Sequence, residues 1–196
     1  MAKKPAKKPR PPAADPPPPA APPDEVIDPH RVHELFGLPG PYDPGKPPPT
    51  LPGYATIWDP GVSIATVRAK FRDLFYHDTW AGHRFARATD QWRWRQIKVS
   101  PIEPGKPYEE QLKKLPKGDE VASAREVVAY LALRFLATGD RLETTRLRCR
   151  ETLDSGRRVI VGPFHPLGLD LATVSDDWVS PGIGLAAVFT PAPRRR

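Results

Sequence analysis

His77, Asp78 and His83 form the densest group of ligand-type side chains, within the stretch FYHDTWAGHRF. A hydrolytic or metal-dependent centre would need them to converge, because a zinc ion takes three or four close ligands. On a helix, positions six apart point about 240° away from each other. His77 and His83 could therefore share an ion only in an extended loop. The competing reading is a polar loop with hydrogen-bonded histidines. Cys149 is the only cysteine, flanked by Arg148 and Arg150. Its inward position on an expected strand suits a small buried hydrophobe better than a nucleophile. Ser63, Ser100, Ser123, Ser155, Ser175 and Ser180 read as cap or turn residues, and none sits in a G-x-S-x-G elbow. Gly182-Ile183-Gly184 lacks a third glycine and precedes the strand-like LAAVF, and there is no G-x-x-x-x-G-K-[ST] loop. Nucleotide-dependent catalysis is disfavoured, and the sequence assigns no metal and no cofactor.

Trp92, Arg93, Trp94 and Arg95 carry a different chemistry. Flat aromatics interleaved with guanidinium groups on a strand are the parts of a single-strand nucleic-acid stacking platform. Residues 68–98 hold eight basic side chains against Asp73, Asp78 and Asp90. Arg146, Arg148, Arg150, Arg157 and Arg158 could extend such a surface. The other reading makes the tryptophans core and pairs the arginines with carboxylates. No RNP-type or helix-turn-helix pattern is present.

The overall charge sharpens this choice. The 196-residue chain carries a net charge of +7. Lys3, Lys4, Lys7, Lys8 and Arg10 against Asp15 supply +4, and Arg194–Arg196 supply +3. The body, 24–193, is charge-balanced. A neutral globule with basic ends suits electrostatic attraction to nucleic acid or another polyanion through the ends. Five phosphate contacts by the tail lysines and arginine would give a log K against log salt slope of roughly −4 to −5. No stretch reaches the roughly 18–20 apolar residues of a membrane span, and no apolar h-region follows the basic start. With one cysteine, these features predict a cytoplasmic protein without a membrane partner.

The elements that must position these residues follow from periodicity. Of 28 prolines, 18 fall in residues 1–53. Residues 1–28 predict a disordered Pro/Lys-rich tail, with a polyproline II bias at Pro16 to Pro19. Residues 29–53 predict a short helix, capped by Asp28 and stopped by Gly37, and then a Pro/Gly connector. The proline tract and the connector are also segments that an aromatic groove could hold. A single domain is expected over 54–190, followed by a basic tail at 191–196. Within it, Trp58-Asp59-Pro60-Gly61 reads as a tight turn and Ser63 as the cap of a helix over 64–76. A strand over 91–99 alternates Trp92, Trp94, Gln96 and Lys98 with Arg93, Arg95, Ile97 and Val99. A short helix at 108–115 precedes a long one at 120–138, whose wide apolar stripe ends at a Gly139 cap. Strands are expected at 145–151 and 158–164, joined by Asp154-Ser155-Gly156, and again at 169–174 and 183–189.

From Trp92 onward, WRWRQIKVSP, YEEQL, FLATGDRL, VIVGPF and GLDL together resemble a set of uncharacterised bacterial proteins. The resemblance implies a Thr-Gly-x-x-Leu-capped helix followed by a small C-terminal sheet, over roughly 58–190, and implies no activity. The expected architecture is α+β, with one long helix packed on a small antiparallel sheet of about four or five strands.

The functional expectation is a non-catalytic binding domain contacting a polyanion through Trp92, Arg93, Trp94, Arg95 and the tail lysines. Two alternatives stand beside it. One is a structural or protein-interaction subunit using exposed tryptophans; the other is an enzyme centred on His77, Asp78 and His83.

Overall fold

The protein is described by a computed structural model covering residues 26–27, 29–38, 43–98, 100–141 and 146–191. The chain is α+β, but its sheet is double. The first sheet runs in the order β1 (Val26–Ile27), β2 (Tyr54–Asp59), β3 (Arg93–Lys98), β9 (Ala187–Phe189), β4 (Asp119–Val121). The second runs β7 (Gly168–Val174), β6 (Arg158–His165), β5 (Arg146–Thr152), β8 (Ile183–Leu185). Both are mixed, because β1 lies parallel to β2 and β8 parallel to β5. The expectation of one small antiparallel sheet is corrected accordingly. The stretch 183–189 is two strands, not one, and the chain changes sheet at Ala186. Ala186 donates to Arg148 O and accepts from Ala122 N–H, each at 3.0 Å, which ties the sheets together at that crossing.

The reason for two sheets is visible in the long helix α5 (Ala124–Thr138). Every residue from Ala124 to Arg134 is buried. A helix buried on every side must be covered on every side. It contacts β5 and β6 of one sheet and β1, β2 and β3 of the other. Ser123 caps it, accepting from the Glu126 N–H while the Glu126 carboxylate accepts from the Ser123 N–H. At its far end Gly139 takes φ +76°, a conformation only glycine adopts cheaply, and its N–H closes on Phe135 O at 2.7 Å. The helix starts later than 120 because Asp119–Val121 pairs with β9.

Other boundaries shift for similar tertiary reasons. The helix α2 (Ile64–Lys70) is capped by Ser63 as expected, but it ends at Lys70 and passes into a 3-10 turn at Arg72–Leu74. Residues 77–90 contain the single-turn helix α3 (Arg84–Arg87) and are anchored by buried Trp80 and Phe85. The helix α4 (Tyr108–Leu112) is shorter than expected. The tight turn at 58–61 overlaps the end of β2, a strand buried at all six positions.

Elements before residue 54 also pack on this core. In the helix α1 (Pro29–Phe36), Val32 and Phe36 belong to the main core, and β1 is hydrogen-bonded to β2. The cap expected at Asp28, the tail before Val26 and the tail after Pro191 lie outside the described residues.

Candidate functional site

The strand β3 presents two unlike faces. Its register with β2 pairs Trp58 with Trp94, Ile57 with Arg95 and Asp59 with Arg93. Successive side chains point to opposite sides of a sheet. Arg95 therefore turns toward α5, while Trp94 and Gln96 turn outward.

On the inner face, Arg95 is 2% exposed. Its Nη2 lies 2.8 Å from Glu126 Oε1 and 3.1 Å from Asp90 Oδ2. Arg125 forks onto Asp59 with bonds of 2.6 and 2.7 Å and lies 3.4 Å from Asp90. Arg93 also pairs with Asp90. Three carboxylates thus face three guanidinium groups, and the seam is neutral. Burial opposes ionisation of Asp90, but the Gln91 N–H and the neighbouring Arg93 and Arg125 outweigh it and hold the carboxyl below its ordinary range. Gly61 shapes this corner. Its O accepts from Asp90 N–H at 2.9 Å, it has φ +63°, and an added Cβ would stand 2.1 Å from Asp90 O. Asp59 Oδ1 in turn accepts from Gly61 N–H at 2.9 Å.

Arg95 therefore does not belong to a contact surface, and Arg93 is half-committed to Asp90. The physical reason is that a guanidinium leaves water only when other acceptors replace its hydration, and here carboxylates do. The same correction applies to two arginines of the hairpin. Arg148 is fully buried and donates to Lys106 O at 2.8 Å, to Gln111 Oε1 at 2.9 Å and to Trp178 O. Burial lowers its pKa from the ordinary arginine value. Arg158 is buried, paired with Asp176 and stacked 3.5 Å above the Tyr108 ring. Arg146, Arg150 and Arg157 remain exposed.

The outer face is aromatic. Trp94 meets Trp58 edge-on at 5.3 Å, and its indole N–H donates to Pro44 O at 2.6 Å. The Gln96 amide donates to Pro49 O at 2.7 Å and to Thr56 Oγ1 at 3.2 Å. Thr50 and Thr56 share a hydroxyl bond at 2.9 Å. The connector is thus laid along the sheet and held by its carbonyls. Proline lacks an N–H but keeps its C=O, so side-chain donors are the natural way to hold it.

Beside the connector lies an open groove of about 940 Å³, walled by residues that include Pro48, Trp92, Trp94, Phe189 and Pro191. Trp92 is 38% exposed, and among the described residues no hydrogen bond or ring contact engages it. The charged residues at the groove are Asp43, Lys46 and the paired Arg93. Of the four strand residues singled out from the sequence, Trp92, Arg93 and Trp94 line this groove and Arg95 does not. Sequence reasoning missed Gln96, Phe189 and the two proline carbonyls. The signal for Gln96 was an uncharged polar residue at the centre of a strand. Lys3, Lys4, Lys7 and Lys8 lie outside the described residues.

His77, Asp78 and His83 each meet different partners and do not meet one another. His77 Nε2 lies 2.8 Å from Asp170 Oδ1, and its Nδ1 lies 3.2 Å from Thr79 Oγ1. Asp78 pairs with Arg68. His83 stacks on Phe85 at 5.9 Å. Among the described residues no group of three His, Cys, Asp or Glu side chains is placed to hold a metal ion. Burial, with Glu151 and Glu126 nearby, pushes the Cys149 thiol well up, so it is not a thiolate at neutral pH. No described helix is long and apolar enough to cross a membrane. No protein-family model, no curated protein and no solved structure matches this chain.

Proposed function

We propose that the protein is a non-catalytic interaction module whose outer groove receives an extended, proline-rich polypeptide. The observation that carries this reading is the pair of donors, Trp94 to Pro44 O and Gln96 to Pro49 O, beside an exposed Trp92 that borders open space. Grooves that read polyproline II segments combine these parts: flat aromatic walls and a few donors aimed at carbonyls. The connector supplies one such segment, and the groove beside it has room for another. Charge argues against a polyanion at this place. Arg93 and Arg95 already face Asp90 and Glu126, which leaves one further cation, Lys46, and one carboxylate, Asp43, among the groove's lining residues.

The test is a titration of the isotopically labelled full chain with a proline-rich peptide and, separately, with a single-stranded oligonucleotide. The Trp92 indole N–H is the reporter. The peptide is expected to shift it with little dependence on salt, and Trp92→Ala to abolish binding. Oligonucleotide binding that moves Trp92, weakens steeply with salt and is lost in Trp92→Ala would overturn the reading in favour of nucleic acid.

A further inference from the structure

We propose that the outward face of α2 and α3 binds the phosphodiester backbone of a nucleic acid, without regard to base sequence. This surface is separate from the groove and does not depend on what the groove holds.

Placement is the first argument. The helices α2 and α3 contact each other, and both contact α5. Each buries its apolar side, Ile64 and Val67 on α2, Phe85 and Ala86 on α3. Their opposite sides therefore look together into solvent. Arg84 and Arg87 are three apart on α3, which roots them on one side of the helix about 5–6 Å from each other. Both are exposed, as are Lys70 on α2 and Arg72 in the 3-10 turn that follows it. Lys70 extends the face toward α1, where a Cβ added to Gly37 would stand 3.5 Å from Nζ.

Pairing is the second. Elsewhere the fold consumes its arginines: Arg95 and Arg125 meet the seam carboxylates, and Arg158 meets Asp176. On this layer Arg68 is paired with Asp78, and Asp73 is the one carboxylate that α2, the 3-10 turn and α3 themselves carry. Among the described residues no hydrogen bond or ion pair engages Lys70, Arg72, Arg84 or Arg87. Four cations thus stand against Asp73 in a body that is charge-balanced as a whole.

The chemistry of the face is the third. Among the described residues, none of the exposed large apolar side chains belongs to α2, the 3-10 turn or α3. A protein partner draws on an apolar interface core, which this face lacks. A nucleic-acid backbone binds through charge and counterion release alone. Three of the four cations are arginines, whose planar forks match phosphate oxygens in pairs. The cationic surface of residues 68–98 therefore sits on the helices, because the seam has taken Arg93 and Arg95 from the strand.

The experiment measures binding of the full chain to a labelled random-sequence oligonucleotide, single- and double-stranded, across a salt series. Arg84→Gln/Arg87→Gln removes two phosphate contacts and is expected to reduce the slope of log K against log salt by about 1.4–1.8 in magnitude. Arg84→Lys/Arg87→Lys keeps the charges and should keep most of the slope. Arg146→Gln/Arg150→Gln removes the same charge from exposed positions of β5 and should leave the slope unchanged. The basic ends are common to every form, so the differences report the helices. An equal loss in the β5 variant would show that net charge alone is read, and an unchanged slope in Arg84→Gln/Arg87→Gln would place the contacts elsewhere. Either result overturns the proposal, as does a full chain that binds no oligonucleotide. Binding to phosphatidylserine vesicles without binding to the oligonucleotide would assign the face to a lipid surface and overturn it too. Oligonucleotide binding lost in Trp92→Ala but kept in Arg84→Gln/Arg87→Gln would move the nucleic acid to the groove, against both this assignment and the peptide reading.

Discussion

The two faces of β3 differ more than their shared backbone suggests. One face buries Arg95 among carboxylates; the other, a single residue away on either side, lays Trp94 and Gln96 against proline carbonyls. The inner face uses charge to close a core, and the outer face uses neutral donors to hold a strap of chain. The difference lies in what each face meets. Inside, α5 brings Arg125 and Glu126, and the end of β2 brings Asp59. Outside, the partner is a proline-rich segment with acceptors and few donors. The buried ions of this seam come as a matched set, whereas a carbonyl can be held singly.

The contrast is broken most severely at the inner face. Asp59→Ala removes both short bonds to the buried Arg125 guanidinium, leaving it the 3.4 Å contact with Asp90, and is expected to cost about 3–5 kcal/mol, read from urea denaturation midpoints. The double variant Asp59→Leu/Arg125→Met should recover most of that loss, since a matched apolar pair avoids an uncompensated charge. A loss below about 1 kcal/mol for Asp59→Ala would mean the pair is solvent-screened like an ordinary surface bridge.

Trp94→Phe tests the outer face. It keeps most of the ring and removes the donor to Pro44, so about 1 kcal/mol should be lost. Amide exchange should quicken in the connector around Gly45 and leave α5 unchanged. Exchange that quickens in α5 instead would show that the two faces are not separable.

A smaller effect follows from pH. The folded-state pKa of Asp90 is depressed, so its contribution is present above the unfolded aspartate value of about 3.9 and is lost as pH falls through the lower folded value. Stability should therefore fall below about pH 4 more steeply in the unsubstituted protein than in Asp90→Asn. Parallel curves would show that Asp90 does not couple to the seam. The smallest stability effect belongs to Trp92→Ala, because the ring, 38% exposed, packs against none of the described core clusters. The same substitution should abolish peptide binding, which separates the open end of the outer face from its structural part.

Much of the local structure was legible in the residues. Ser63 and Gly139 mark helix ends through side-chain and backbone hydrogen bonding that involve only neighbours. The alternation in 91–99 announced β3, and Asp154-Ser155-Gly156 lies in the turn between β5 and β6. The strand β2 was illegible because all six of its positions are buried, which removes the period-two contrast that identifies a half-solvated strand. The short pieces β8 and β9 were fused for a related reason: nothing local marks a chain passing from one sheet to another. The strand expected at 145–151 is β5, but the exposure expected of Arg148 failed, since Leu147, Arg148 and Cys149 are all buried and polarity alternation ceased to report exposure. The groove was half legible. Its tryptophans and the proline-rich connector were each noticed, but their meeting depends on contacts 47 and 50 residues apart along the chain.

The amino-acid sequence by itself determined the helix caps at Ser63 and Gly139, that β3 alternates, and that cationic residues are gathered at the ends around a balanced body. These depend on interactions within a few residues, which the order of side chains specifies directly. Only the tertiary structure decided which half of β3 became interior. Tryptophan and arginine can each occupy either side of a sheet. The outcome turned on carboxylates delivered from elsewhere, such as Asp59, 66 residues from the Arg125 it holds. The cost of burying a charge depends on the partner that replaces its water, and that partner is a property of the fold.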